Sequence, residues 1–316
     1  MFAGDLIRLG LFLGVFGFVT AVNVVAIVRV VRPVAPGAAS AGAGWARVTV
    51  AVLLPLQAAA ILYGLFIEPR QPELTRHRVV SARMVPGTVV NLVHLSDLHL
   101  ETIGRPEEKL LGMLRTIAPD MILITGDLVN RGECFPLAAA YLRRVRAVAP
   151  VYLIAGNIDV CFPAELAMLK HEFTFLDGGL VSPALPNGAR LLLAGADDGR
   201  AEQLLAAAAA LPIPAAGAGA AVLLYHKPDL AREPWVRAFD LYLCGHTHGG
   251  QVRLPWYGAL ITCSRFGKAF EAGRYDLGPA ALYVNRGWGL EGGGWFVPRV
   301  RFLCRPEVAW FTITAP

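Results

Sequence analysis

The chain has 316 residues, 55% of them hydrophobic and only 17% charged, with a formal net charge of +5. That is more apolar than an ordinary soluble protein, so one large core and an appended apolar segment both fit within it. Five scattered cysteines without a C-x-x-C pair exclude a disulfide framework and a zinc ribbon, and the modest charge gives no specific indication of nucleic acid.

In chain order, Leu9 to Val28 is apolar apart from Thr20 and Asn23, and Val48 to Ile67 forms a second apolar stretch. Each is about the 20 residues a helix needs to cross a hydrocarbon layer. The first is too long for the apolar part of a signal peptide, and the second follows closely. A two-span anchor is therefore expected over a cleaved leader or buried core helices. Arg29, Arg32 and Arg47 in the linking loop are balanced by Arg70, Arg76 and Arg78 after the second span, so the positive-inside rule leaves the membrane side of the remainder open. Pro33 to Gly44 reads as a flexible loop, and the polar stretch Glu68 to Pro86, with Pro69 and Pro72, as a tether. The resulting organisation is an anchor over 1–70, a tether over 71–87 and a catalytic domain over 88–316.

Beyond the tether, short apolar runs alternate with helical patterns. Val89 to Leu95, Met121 to Thr125, Val151 to Ala155, Arg190 to Ala194, Ala221 to Tyr225 and Leu241 to Cys244 have the length and the Gly, Asp or Pro punctuation of buried strands. Pro106 to Ala118 predicts a helix with Leu110, Leu111, Leu114 and Ile117 on one face, stopped by Pro119. Pro136 to Val148 and Pro163 to His171 repeat that pattern, and Ala201 to Ala221 starts as a helix and ends in a Pro/Gly loop. From Gln251 to Pro316 the chain reads as strands and turns, with a tight bend at Gly292 to Gly294. This order predicts an α/β sandwich. Arg143, Arg144 and Arg146, and Arg299, Arg301 and Arg305, read as solvated charges. Trp256, Tyr257, Trp288, Trp295 and Phe296 near Gly-rich turns read as core packing, with a lipid-contacting rim as the alternative.

The positions of the polar residues carry the functional signal. Asp97 and His99 follow the first run, Asp127 the second, Asn157 and Asp159 the third, His226 the fifth, and His246 and His248 the sixth. Five strand ends thus deliver carboxylate, amide or imidazole groups to one sheet edge, where open α/β sheets bind ligands. Such donors suit manganese, iron or zinc without a thiolate. Two divalent ions clamped there would activate water against phosphorus.

The blocks Asp97-Leu98-His99, Gly126-Asp127, Gly156-Asn157-Ile158-Asp159, Tyr225-His226 and Gly245-His246-Thr247-His248 resemble the calcineurin-like metallophosphoesterase family. Asn285-Arg286-Gly287-Trp288-Gly289 and the stretch Val300-Arg301-Phe302 to Pro306-Glu307 are similar to its membrane-associated bacterial branch. The resemblance runs from about Thr88 to Thr314 and implies a four-layer αββα sandwich of two mixed sheets, in a multi-pass protein of the bacterial inner membrane. It also implies roles: Asp97, His99 and His248 on one ion, Asn157, His226 and His246 on the other, Asp127 bridging, and manganese as the foremost metal. Asp127, Asn157, Asp159 and His226 would then be the catalytic residues, Asp159 by orienting a ligand.

One position departs from the pattern. The family's usual block is Gly-Asn-His-Asp, whose histidine assists the leaving oxygen, and here that position is Ile158. A placed proton donor is typically worth about 10² to 10⁴ in rate, so its loss favours a substrate with a good leaving group such as a pyrophosphate. UDP-diacylglucosamine hydrolases, which include family members with a replaced histidine in that block, offer a lipid-linked precedent. A general phosphodiesterase or phospholipid headgroup hydrolase, or a catalytically silent metal-binding membrane sensor, is the alternative.

Overall fold

The computed structural model describes residues 3–31, 43–185, 188–211, 217–291 and 299–316. The expected loop at Pro33 to Gly44 (up to residue 42), the bend at Gly292 to Gly294, the Pro/Gly stretch at 212–216, and Trp295 and Phe296 lie outside the described residues.

The N-terminal helix α1 (Ala3–Val31) packs against a second helical run formed by α2 (Ala43–Val48), a π-helical turn (Thr49–Leu53), α3 (Leu54–Leu62), another π turn (Tyr63–Ile67) and a 3-10 turn (Glu68–Arg70). Pro55 lies in the first turn of α3. Its ring lacks the N–H of a regular turn, and the chain accommodates it by widening the preceding turn to π geometry. Both helices are long and apolar enough to cross a membrane, with most of their side chains exposed. The polar exceptions pair with each other: Asn23 Nδ2 donates to Gln57 Oε1 at 2.6 Å, and Gln57 Nε2 to Thr20 Oγ1 at 2.9 Å. Amide and hydroxyl groups that bond across two helices spare each other an unsatisfied exposure to lipid.

The remaining strands are β1 (Glu73–Val80), β2 (Val89–Leu95), β3 (Met121–Ile124), β4 (Val151–Leu153), β5 (Thr174–Phe175), β6 (Leu191–Gly195), β7 (Ala220–Leu224), β8 (Leu241–Cys244), β9 (Arg253–Leu254), β10 (Gly258–Ala259), β11 (Gly273–Asp276), β12 (Ala281–Val284) and β13 (Glu307–Thr314). One mixed sheet has the order β1-β13-β2-β3-β4-β5 and the other β11-β12-β8-β7-β6, with β9 and β10 a separate hairpin. Helices α4 (Arg105–Ile117), α5 (Phe135–Arg146) and α6 (Pro163–Glu172) cover the outer face of the first sheet, and α7 (Gln203–Ala209) that of the second.

The layers follow from strand periodicity, since alternate side chains point to opposite faces. Val93 and Leu95 of β2 and Ile122 and Ile124 of β3 pack under the helices with Leu110 and Leu114. Val90, Leu92, Met121 and Leu123 face Leu191, Val222, Leu224 and Leu243 between the sheets, while Ala221 and Leu223 turn outward to α7. The four-layer αββα sandwich is the expected fold.

One segment departs from the sequence reading. Part of the stretch read as a tether over 71–87 is β1, paired in parallel along its whole length with β13, from Glu73 opposite Glu307 to Val80 opposite Thr314. An edge strand with alternating polar residues has little apolar pattern to announce it, and its partner is the last strand of the chain. Among the arginines, Arg143 and Arg144 make exposed pairs with Glu172 and Glu108, as a solvated face does. Arg301 does not: it is fully buried.

Candidate metal centre

The three parallel strands β2, β3 and β4 and the parallel pair β7 and β8 end at the same edge of the sandwich. Their C-terminal loops are laced together by backbone hydrogen bonds, Asp97 N to Gly126 O at 2.9 Å, His99 N to Asp127 O at 3.0 Å and Gly245 N to His226 O at 2.9 Å. The loops are so close that a Cβ on Gly156 would lie 2.2 Å from Asp127 Oδ1, and one on Gly245 would lie 1.9 Å from Ser96 Oγ. Only glycine permits that approach. Asp97, His99, Asp127, His246 and His248 all have positive φ, between 43° and 67°. Left-handed backbone costs a non-glycine residue of order 1 kcal/mol or more, and five such residues in one cluster mark a functional site.

The side chains converge accordingly. Donor atoms of Asp97, His99 and His248 lie within 4.8 Å of one another, as do those of Asp97, Asp127 and His226. His99 Nε2 and His248 Nε2 are 3.0 Å apart, with their rings stacked at 4.9 Å. His248 Nε2 is 3.5 Å from Asp97 Oδ1. Asp127 Oδ2 lies 3.4 Å from His226 Nε2 and 3.9 Å from His99 Nε2, between the two groups. Its other oxygen accepts the Ile158 N–H at 2.8 Å. Asn157 joins the second group through Oδ1, 3.0 Å from His226 Nε2.

Two of the expected ligands are placed differently from the rest. His246 belongs to neither close group, although its ring is 5.1 Å from that of His226. Its Nε2–H donates to the Cys263 carbonyl at 3.1 Å, which leaves Nδ1 as the atom able to ligate. Asp97 belongs to both groups rather than to one.

Asp159, expected among the catalytic residues, is fully buried with each oxygen engaged. Oδ1 accepts Leu128 N and Oδ2 accepts Gly156 N, both at 2.9 Å. It ties the Asp127 loop to the Asn157 loop through these two backbone amides.

Sequence reasoning missed the carbonyls that set the imidazole orientations. His226 Nδ1–H donates to Thr125 O at 2.7 Å, so Nε2 faces Asn157 and Asp127. Backbone acceptors leave no residue-type signal, and only the fold reveals them. The resemblance block from Asn285 to Gly289 acquires a physical role as well. Trp288 N donates to Ser96 O at 2.9 Å and Gly289 N to Asp97 O at 2.7 Å, so this loop backs the first group. Buried Arg301 holds the loop in turn, donating to the carbonyls of Arg286, Gly287 and Gly289 at 2.7 to 3.0 Å and to that of Cys304 at 3.2 Å.

The electrostatics fit a cation. Burial pushes His99 and His246 down to about 4 and His248 well below the usual imidazole range, so these rings are neutral and their lone pairs available. Burial opposes the ionisation of Asp127, yet His226 and His99 beside it hold its carboxyl well below the usual range. Burial, offset in part by His226 and reinforced by Asp127, pushes Asp97 up to about 7. Burial disfavours charge on His226, but Asp127 and Asp97 outweigh it and push the ring up to about 10.

The spacing fits as well. Two donors about 2.1 Å from one ion and about 90° apart are about 3.0 Å from each other, which is the separation of the His99 and His248 nitrogens. Carboxylate, amide oxygen and imidazole together are the donor set of manganese, iron or zinc.

Comparison with known proteins agrees with this geometry. Residues 90–250 match the model of the family described as calcineurin-like phosphoesterase. The chain is 30% identical over 271 residues to the uncharacterized metallophosphoesterase YkuE of Bacillus subtilis, covering 79% of this chain and 88% of that one. It is 31% identical over 265 residues to the phosphodiesterase YaeI of Escherichia coli, with 78% and 90% covered. A transmembrane protein with metallophosphoesterase domain from Bos taurus is 27% identical, with 72% of this chain and 55% of that one covered.

Proposed function

The chain belongs to the calcineurin-like phosphoesterase family, hydrolases acting on phosphoric esters, and from that premise we propose that it cleaves a phosphodiester or pyrophosphate bond in a membrane-associated or lipid-linked substrate. The observation that carries this reading is the convergence of Asp97, His99, Asp127, Asn157, His226 and His248 at one sheet edge, beside a half-buried residue, Ile158, that offers no proton.

Asp97, His99 and His248 would hold one divalent ion and Asn157, His226 and His246 the other, with Asp127 between them. Ions bound there supply charge neutralisation at the phosphoryl oxygens and lower the pKa of water. The chain's own residues fix the rest. Thr125 and Cys263 carbonyls hold the tautomers of His226 and His246, and the Ile158 N–H holds the Asp127 carboxylate in orientation. Side-chain support for a departing alkoxide is missing at Ile158. A leaving group that is already a weak base, such as a phosphate, loses least from that, so a nucleotide-linked lipid pyrophosphate of the UDP-diacylglucosamine type is the specific form we favour. The relative named a phosphodiesterase supports the diester form. The two apolar helices support work at a bilayer surface, as an integral protein of a bacterial cell membrane.

Metal analysis of the purified full chain, joined to a hydrolysis screen over mono-, di- and pyrophosphates including lipid-linked ones, tests the reading. Manganese-supported turnover of a diester or pyrophosphate, abolished by Asp127→Asn with an unchanged circular dichroism spectrum, is expected. Bound metal without turnover on any of these substrates would establish a silent metal-binding domain instead.

A further inference from the structure

The hairpin β9–β10 lies just beyond the last candidate ligands, His246 and His248, and its tip is Pro255-Trp256-Tyr257. Trp256 is fully exposed, and its backbone has φ +60°. A large aromatic residue held in left-handed backbone with its ring entirely in solvent gains nothing from packing, and a strained, exposed aromatic is a cue to an external contact. Tyr257 beside it is half-exposed, with the Lys268 ammonium 4.3 Å from its ring centre.

The hairpin is fastened to the end of the second apolar helix. Its foot pairs with the segment after Val300: Phe302 N donates to Gln251 O at 2.8 Å and Arg253 N to Phe302 O at 2.9 Å. That segment in turn seats the helix end. Arg301 N donates to Gly64 O at 3.1 Å, and Tyr63 meets Phe302 edge to face at 6.2 Å. The buried Glu68 carboxylate, immediately after the apolar stretch, accepts the N–H groups of Leu303 and Cys304. A side chain at Gly64 would collide with Val300 at 2.8 Å, so the helix and this segment are in direct contact. Leu303, itself half-exposed, lines one shallow hollow with Leu254, Trp256 and Tyr257. Phe66 and Ile67 on the helix end are exposed as well.

We propose that the tip Leu254 to Tyr257, with Leu303, is a second membrane contact of this chain: an aromatic wedge that enters the headgroup layer beside the helix exit. This rests on the reading that the two apolar helices span a bilayer. The occupant is lipid because the patch continues the exposed apolar surface of the helix end and presents tryptophan and tyrosine, the rings that favour the interface between water and hydrocarbon. Together the helix and the wedge make two attachments on one rigid segment, and two attachments fix an orientation where one leaves a swivel. The Leu303-Cys304 segment also touches the site, since Cys304 Sγ donates to the carbonyl of His248 at 3.1 Å. The wedge therefore sets how the metal centre faces the bilayer.

The test uses the full chain reconstituted into vesicles of phosphatidylethanolamine and phosphatidylglycerol containing acyl-brominated lipid. The emission of Trp256 is obtained as the difference between wild type and Trp256→Phe. Quenching of that difference by brominated lipid, together with shielding from iodide, is the expected result. Difference emission quenched by iodide and untouched by brominated lipid, in protein that still floats with the vesicles, overturns the wedge and leaves the anchor intact. Protein that does not float with the vesicles overturns the anchor and the wedge together. Neither readout depends on hydrolysis.

Discussion

Replacing Ile158 by histidine probes the chemistry most directly. Ile158 is half-buried at the rim of the site, with φ −76° and ψ −44°, and its N–H is fixed to Asp127 Oδ1 at 2.8 Å. The next residue, Asp159, is pinned by Leu128 and Gly156, so the Cα at 158 has no freedom to shift when the side chain changes. The proposed function puts an imidazole on that Cα beside the leaving oxygen, where it can donate a proton. General acid catalysis is typically worth about 10² to 10⁴ in rate, or about 2.7 to 5.5 kcal/mol of barrier. That gain depends on the basicity of the leaving group. For an alkoxide it should approach the full range, and for a nitrophenolate or a phosphate it should nearly vanish. The assay is kcat for the manganese-loaded protein over a series of aryl and alkyl phosphodiesters, plotted logarithmically against leaving-group pKa. Ile158→His should flatten that plot by raising its alkyl end, and Ile158→Gln, polar but without a usable proton, should not. Parallel plots for wild type and Ile158→His, or no gain on any ester, would refute the reasoning.

Two further expectations concern the scaffold of the site. Arg301→Met leaves the carbonyls of Arg286, Gly289 and Cys304 without their donor, while that of Gly287 keeps the Glu307 N–H at 3.1 Å. Buried acceptors left unpaired cost about 1 to 3 kcal/mol each, partly offset because an unpaired buried cation is removed, so a net loss of about 3 kcal/mol in urea unfolding is expected. Bound metal should fall with it, because the released loop holds Asp97, and an unchanged midpoint with full metal content contradicts the clamp. The second expectation is acid lability of the metal-free protein. Burial pushes His94 down to about 3 from the ordinary 6.5, so the unfolded chain binds the extra proton between those values and stability falls as pH drops below 6.5. One such imidazole contributes a slope of up to about 1.4 kcal/mol per pH unit. His94→Gln should remove that share of the acid-side slope, and equal slopes in the two proteins would show that His94 does not supply it.

Much of the molecule is legible in the sequence because the relevant information is local. The strands β2, β3, β4, β7 and β8 are apolar runs that the sequence reading bounds to within about two residues, and the residues just past their ends are the ones that meet in space. The identity of a ligand is a property of its own side chain, so Asp97, His99, Asp127, Asn157, His226 and His248 need no partner to be noticed. What stays hidden is whatever depends on a distant segment. Strand β1 looks like a tether because its pairing energy comes from β13 at the far end of the chain.

Arg301 looks like a solvated charge because its acceptors are backbone carbonyls, which every sequence possesses and none displays. Asp159 reads as a residue that orients a ligand, but the groups it holds, the amides of Leu128 and Gly156, appear only in the fold. Tertiary structure alone also decides that Trp288 is buried while Trp256 is exposed, two tryptophans that both read as core packing in the sequence. Composition and periodicity determine which groups exist and which face of an element they occupy. The meeting of two faces far apart along the chain is settled only by the packing of the whole.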